Sequence, residues 1–225
     1  MLIKPSNPKI VVYTALKGRK DPVRDDNLCF TNYDRFKSNR MNAKIYKVLP
    51  HLFFDADYSI WIDCNIFLKI SPSELVDMLR DKEIAVIRHP NNNCIYDEAK
   101  IVIKAKLDDP ETVNEQIDRY KNNGYKKDQG MGMCGLIVRK HTDRIARLNE
   151  KWWSEICRGS SRDQISFNYV FNPSISYIDW PGSYNNHLFS RPDHHIPYKN
   201  IRKYLLSPVK QKLLKLFNHY NMLLP

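Results

Sequence analysis

A chain of 225 residues, 42% apolar and 27% charged, can fill one sizeable core, which excludes both a disordered polypeptide and a large multi-domain assembly. No apolar run reaches the roughly 18–20 residues of a bilayer-crossing helix, and MLIKPSNPK at the start has no apolar signal-peptide core, so a cytoplasmic location is expected. The net charge of +11 implies an acidic partner: nucleic acid, anionic lipid or a phosphate-bearing substrate.

In chain order, residues 9–14 (KIVVYT) and 28–31 (LCFT) read as short strands. Met41, Ile45, Val48 and Leu49 keep helical spacing over 38–49, and Pro50 ends that helix. Residues 58–62 (YSIWI) are a buried strand. Ser71-Pro72-Ser73-Glu74 is a capping box with proline at the first helical position, opening a helix to about Arg80. A strand over 84–88 follows, then a helix around Val113, Ile117 and Tyr120 that Gly124 stops. A strand over 135–139 precedes an amphipathic helix marked by Ile145, Leu148, Trp152 and Ile156. Asp163 reads as the N-cap of a helix through Val170, and residues 175–178 are the last strand.

Strands separated by helices predict an α/β domain with a mostly parallel sheet flanked by helices, over residues 1–198. Residues 199–225 carry six basic side chains and no acid. There Val209, Leu213, Leu216, Phe217, Tyr220, Leu223 and Leu224 predict a basic amphipathic helix, packed on the domain or lying on an anionic membrane. Nucleic acid is the weaker partner, because the basic excess on the rest of the chain is modest. Neither a GxGxxG nor a GxxxxGK[ST] stretch is present, so a dinucleotide fold or a P-loop is not expected. The five cysteines stand singly, without zinc spacing.

Asp63-Cys64-Asn65 is the sharpest local feature. An apolar strand delivers two oxygen-bearing side chains to its carboxyl end, where ligands of α/β sheets bind. If the segment is extended, Asp63 and Asn65 point the same way and can share Mg²⁺ or Mn²⁺. If it is a turn, both residues are simply good turn formers. Arg40 and Lys44, at i and i+4, can reach one diphosphate or can be solvated helix surface. Asp163 as an N-cap is fully explained by its position. Gly130, Gly132 and Gly135 allow a tight turn or a close backbone approach to a ligand.

WIDCNI after its strand, RMNAKIYKVLPH before it, and the later Ile87-Arg88-His89-Pro90, Cys94–Ala99, Arg139-Lys140-His141 and Asp163-Gln164 resemble one family in order and spacing. It is the bacterial and plant glycosyltransferase family related to the plant mucilage-linked Golgi proteins, with the GT-A fold. The resemblance covers about residues 9–170. It implies transfer of a sugar from a nucleotide-sugar donor to a glycan or lipid-linked acceptor, assisted by Mn²⁺ or Mg²⁺. It also implies that Thr14, Asn32, Arg40, Lys44 and Asp63 bind the donor and that Arg88, His89, Glu98 and Gln164 line the acceptor side. Asp163 becomes the catalytic base of an inverting enzyme, and Asp63, Asn65 and His187 become metal ligands, with His194 and His195 as alternatives to His187. Asn65 stands where the strict motif has a second Asp, and a neutral carbonyl weakens metal binding. The competing reading is a non-catalytic basic α/β module on nucleic acid or anionic membrane.

Overall fold

The computed structural model of the chain describes residues 8–16 and 26–191. The strands are β1 (Ile10–Ala15), β2 (Leu28–Phe30), β3 (Tyr58–Ile62), β4 (Phe67–Leu68), β5 (Ile84–Arg88), β6 (Gly132–Lys140), β7 (Ile175–Ile178) and β8 (Phe189–Ser190). The helices are α1 (Asn39–Val48), α2 (Pro72–Asp77), α3 (Ile95–Lys104), α4 (Pro110–Asn122), α5 (Asp143–Arg158) and α6 (Asp163–Phe171).

Six strands form one sheet in the order β2-β1-β3-β6-β5-β7. β6 runs antiparallel to β3 and β5, and the other pairs are parallel. This is the mostly parallel α/β sheet that the sequence predicts. Every residue of β3 is buried, as expected of a strand covered on both faces. One face packs Tyr13, Trp61, Val86 and Ile137 against Ile45 and Val48 of α1, Trp152 of α5 and Phe167 of α6. The other face packs Ile60, Ile62, Ala85 and Val138 against Leu75 and Val76 of α2. A third cluster joins α3 and α4 to Ile165 through Tyr96, Val102, Val113 and Tyr120.

The capping box forms as read: Ser71 Oγ accepts from Glu74 N, and the Glu74 carboxylate accepts from Ser71 N at 2.8 Å. That helix stops at Asp77, short of Arg80, and β6 begins at Gly132, ahead of residue 135. A Cβ on Gly132 would lie 2.6 Å from Val86 Cγ2 and 3.2 Å from Phe167 Cε1, so close approach of β6 to its neighbours needs glycine there. Helix α3 and the two-residue strands β4 and β8, which pair antiparallel, complete the fold beyond the elements read from sequence. Residues 199–225, His194 and His195 lie outside the described residues.

Candidate active site

From β1 the chain goes to β2 on one side, then returns as β3 on the other. The carboxyl ends of parallel β1 and β3 therefore flank the point where strand order reverses, the place where α/β sheets bind ligands. Asp63 sits directly after β3. Its N–H donates to Gly135 O at 2.7 Å and its carbonyl accepts from Ile66 N at 2.8 Å. Residues 63–66 are thus a tight turn, not an extended segment, and the alternation that would aim Asp63 and Asn65 together does not apply. The Asp63 side chain is 39% exposed. Its Oδ1 accepts from Trp61 Nε1 at 3.0 Å. Asn65 is 3% exposed. With its amide oriented as the surrounding donors require, its oxygen accepts from Arg191 Nε at 2.8 Å and Nη2 at 3.2 Å.

Helix α1 starts at Ser38, whose hydroxyl caps Met41 N, and presents Arg40, Lys44 and Lys47 at i, i+4 and i+7 on one face. Lys47 Nζ lies 2.6 Å from Asp163 Oδ2, 3.6 Å from Asp63 Oδ1 and 5.5 Å from the Trp61 ring centroid. Lys44 Nζ lies 3.0 Å from Asp163 Oδ2. Burial alone would lower the Lys47 pKa, but Asp163 and Asp63 together outweigh it and hold the ammonium charged. Burial pushes Lys44 down to about 8, because Asp163 is shared and Lys47 repels it. Burial also acts to raise the Asp163 pKa, yet the two lysines reverse that and hold its carboxyl well below the ordinary range. The Cys134 thiol beneath is kept protonated by burial and by Asp163.

Asp163 is not an N-cap. Arg162 occupies that position without a side-chain cap bond, and the Asp163 carboxylate faces α1 instead. The loop before it is anchored from α4 and the turn ahead of α4. Asp108 accepts from Ser160 Oγ, Ser161 N and Ser161 Oγ at 2.8, 2.9 and 2.9 Å. Gln116 accepts from Ser160 N at 2.9 Å, and Trp152 Nε1 donates to Asp163 O at 3.2 Å. A Cβ on Gly159 would come within 2.6 Å of Gln116 Cδ, so the loop closes only over glycine.

The structure thus gathers Asp63, Lys44 and Asp163 into one network. Arg40, from the same helix, is exposed and donates to Ser161 Oγ at 3.1 Å, so it does not share the partner of Lys44. Thr14 is fully buried in β1, its Oγ1 without a hydrogen-bond partner, and exposed Asn32 accepts from Tyr46 Oη at 2.8 Å. Gln164 donates to Gly132 O at 3.4 Å. Arg88 lies over the Tyr177 ring at 4.3 Å, with Asp179 at 3.8 Å. Burial lowers the His89 pKa although nearby Glu98 raises it; His89 Nδ1 accepts from Asn91 N at 3.3 Å, while Glu98 accepts from Asn92 at 3.0 Å. His187 is exposed in the loop before β8. Among the described residues no group of three His, Cys, Asp or Glu could hold a metal ion. Asp63 already faces an ammonium, and Asn65 gives its oxygen to a guanidinium. That donor set does not fit a divalent cation.

Sequence reasoning assigned no role to Lys47 or Arg191. Lys47 had a signal: it continues the Arg40–Lys44 row by three residues. Arg191 had none, since only the β4–β8 pairing brings it to the turn after β3.

The buried acid–lysine network thus stands where the strand order of the sheet reverses, the place at which α/β domains generally take ligands. A family model described as TOD1/MUCI70, glycosyltransferase-like domain, matches residues 28–183, and the chain belongs to that family. It is 29% identical over 159 residues to the Arabidopsis thaliana protein named probable hexosyltransferase MUCI70, covering 64% of this chain and 27% of that one. It is 27% identical over 151 residues to alkaline ceramidase TOD1 of the same plant, covering 60% of this chain and 33% of that one. The chain therefore spans about a third or less of the length of these relatives. Among solved structures, a glycosyltransferase involved in glycosylation of the major capsid of PBCV-1 aligns with a TM-score of 0.48 and 9% identity, over 87% of this chain and 98% of that one.

Proposed function

We propose that this domain transfers a hexose from a nucleoside-diphosphate donor to a glycan or lipid-linked acceptor. The observation that supports this most is the place of the Asp63–Lys47–Asp163–Lys44 network in a member of a glycosyltransferase-like family. It stands at the carboxyl end of β3, at the strand-order reversal, where α/β sheets generally bind ligands. The donor is assigned to the α1 face and the turn after β3, with Arg40 at the exposed end of the row. The acceptor is assigned to the side of Arg88, His89, Glu98 and Gln164.

The catalytic-base role expected of Asp163 is revised. A base works best when its pKa lies near the working pH, and a carboxylate clamped by two lysines takes a proton poorly. Asp163 instead holds Lys44 and Lys47 in place, and Lys47 in turn orients Asp63. Contact with an anionic membrane, and with it a location at the inner face of one, is proposed from the unopposed basic residues of 199–225.

The test is donor hydrolysis and transfer with UDP-, GDP- and dTDP-hexoses, following the released anomer by NMR. Turnover of at least one donor is expected, together with its loss in Asp63→Ala. Fatty-acid release from ceramide without turnover of any donor would overturn the reading in favour of the activity for which the second relative is named.

A further inference from the structure

We propose that a small monovalent anion, of the size of chloride, binds inside the domain against Arg139 and serves as its counter-ion. The site lies apart from the candidate active site. Arg139 is near the carboxyl end of β6 and pairs across the ladder with Ser59, near the amino end of β3, whereas Asp63 follows the carboxyl end of that strand.

The hydrogen bonds of the guanidinium show which edge takes the ligand. Arg139 Nη1 donates to Tyr13 Oη at 3.3 Å, while Nε and Nη2 are buried with no hydrogen-bond partner. Those two N–H groups form one edge of the guanidinium and point in parallel, the fork that grips an anion with two hydrogen bonds. Arg139 is fully buried, so bulk water does not solvate that edge. Two more polar atoms beside it are also buried without a partner, Ser59 Oγ and His141 Nε2. Ser59 stands directly opposite Arg139 in the antiparallel ladder, so the two side chains share the face of the sheet that packs on α1 and α5. His141, two residues further on, is close enough to feel the Arg139 charge.

Charge decides the kind of ligand. Water can satisfy the N–H groups but leaves the charge uncompensated, and an arginine does not shed its proton. A buried charge is costly unless it is paired. The other cations drawn inward by this domain each meet a carboxylate: Lys44 and Lys47 share Asp163, and Arg119 meets Glu155 at 2.6 Å. Among the described residues no carboxylate pairs with Arg139, which lies 5.6 Å from the Trp152 ring centroid. The acids of this region face the histidines: Glu150 is 3.6 Å from His51 Nε2 with its side chain 63% exposed, and Asp57 acts on His141. A ligand that reaches a fully buried edge beneath two helices has to be small, which selects a halide-sized anion over a phosphate ester.

The experiment melts the full chain in sodium chloride and in sodium gluconate at equal ionic strength, gluconate being too large to enter. The melting temperature should rise with chloride and level off about 2–4 °C above its value in gluconate. Arg139→Met should remove the difference. Ser59→Ala keeps the guanidinium and removes one donor, so it should need about fivefold more chloride for the same rise, and it remains informative if Arg139→Met fails to fold. Crystals soaked in sodium bromide should show anomalous density in contact with Arg139 Nε and Nη2. Equal melting temperatures in the two salts, a chloride response that both variants keep in full, or an ordered water without bromide at that edge overturns the proposal.

Discussion

Removing the Lys47 ammonium leaves a buried Asp163 carboxylate with Lys44 as its remaining ion-pair partner, and Asp63 without its lysine. Breaking one side of a buried pair usually costs about 3–5 kcal/mol, because the other charge stays desolvated. Lys47→Met should therefore lower stability by about that amount in urea denaturation. The double variant Lys47→Met with Asp163→Leu should recover much of the loss, since apolar side chains of similar volume replace a buried pair at little cost. Lys44, already pushed down to about 8, can meet the change by losing its proton. A Lys47→Met protein as stable as the parent would show that the network is incidental to the fold. Asp63 is a different case. With 39% of its side chain exposed at a strand end, Asp63→Ala should keep the parent melting temperature while abolishing sugar transfer, and a folded, active variant would count against the donor site.

At the scale of elements, the site depends on how closely the strands and helices approach one another. Gly132 opens β6 against Val86 and Phe167, and its N–H donates to Asn168 Oδ1 at 2.9 Å on α6. Gly132→Ala forces a methyl into packed side chains, for which overpacking costs about 1–3 kcal/mol. The shift should also reach Gln164 through the Gly132 carbonyl, so a melt of the variant should fall and its acceptor KM should rise. Much of this architecture is legible in the sequence. Buried runs such as YSIWI, the capping box at Ser71 and the apolar spacing of Ile145, Trp152 and Ile156 each name an element through local chemistry alone. The site is legible only in part. Asp63 and Asn65 are visible as residues, but whether they act together depends on the turn, and Asp and Asn favour turns and ligand sites alike. Asp163 satisfies the pattern of an N-cap, and only tertiary packing turns its carboxylate toward α1. β4 and β8 are two residues each, too short for any alternation to show, and they are what brings Arg191 to Asn65.

Over the whole molecule, burial keeps several imidazoles neutral, and this sets how stability responds to acid. His141, just past β6, is pushed down to about 4, first by burial and then by the charges of Arg139 and His51. Arg139 reinforces this because it is itself fully buried, with Tyr13 Oη at 3.3 Å and the Trp152 ring at 5.6 Å, and among the described residues no carboxylate pairs with it. His51 and His89 are lowered as well, burial being the larger cause in each. Unfolded, these rings titrate near 6.5, so below that pH the unfolded chain binds protons that the folded chain refuses, in the case of His141 down to about 4. Stability is therefore fully present above pH 6.5 and falls as the pH drops through the window. The low pKa of Asp163 adds a loss of the same sign at more acid pH. For His141, part-exposed and screened by solvent, the loss should be about 1 kcal/mol at pH 5. Urea midpoints measured at pH 7.5, 6.5, 5.5 and 4.5 should fall across that series, and His141→Asn should flatten the slope. Midpoints that hold level from pH 7.5 to 4.5 would mean that the buried imidazoles take up protons in the folded state as easily as in the unfolded one.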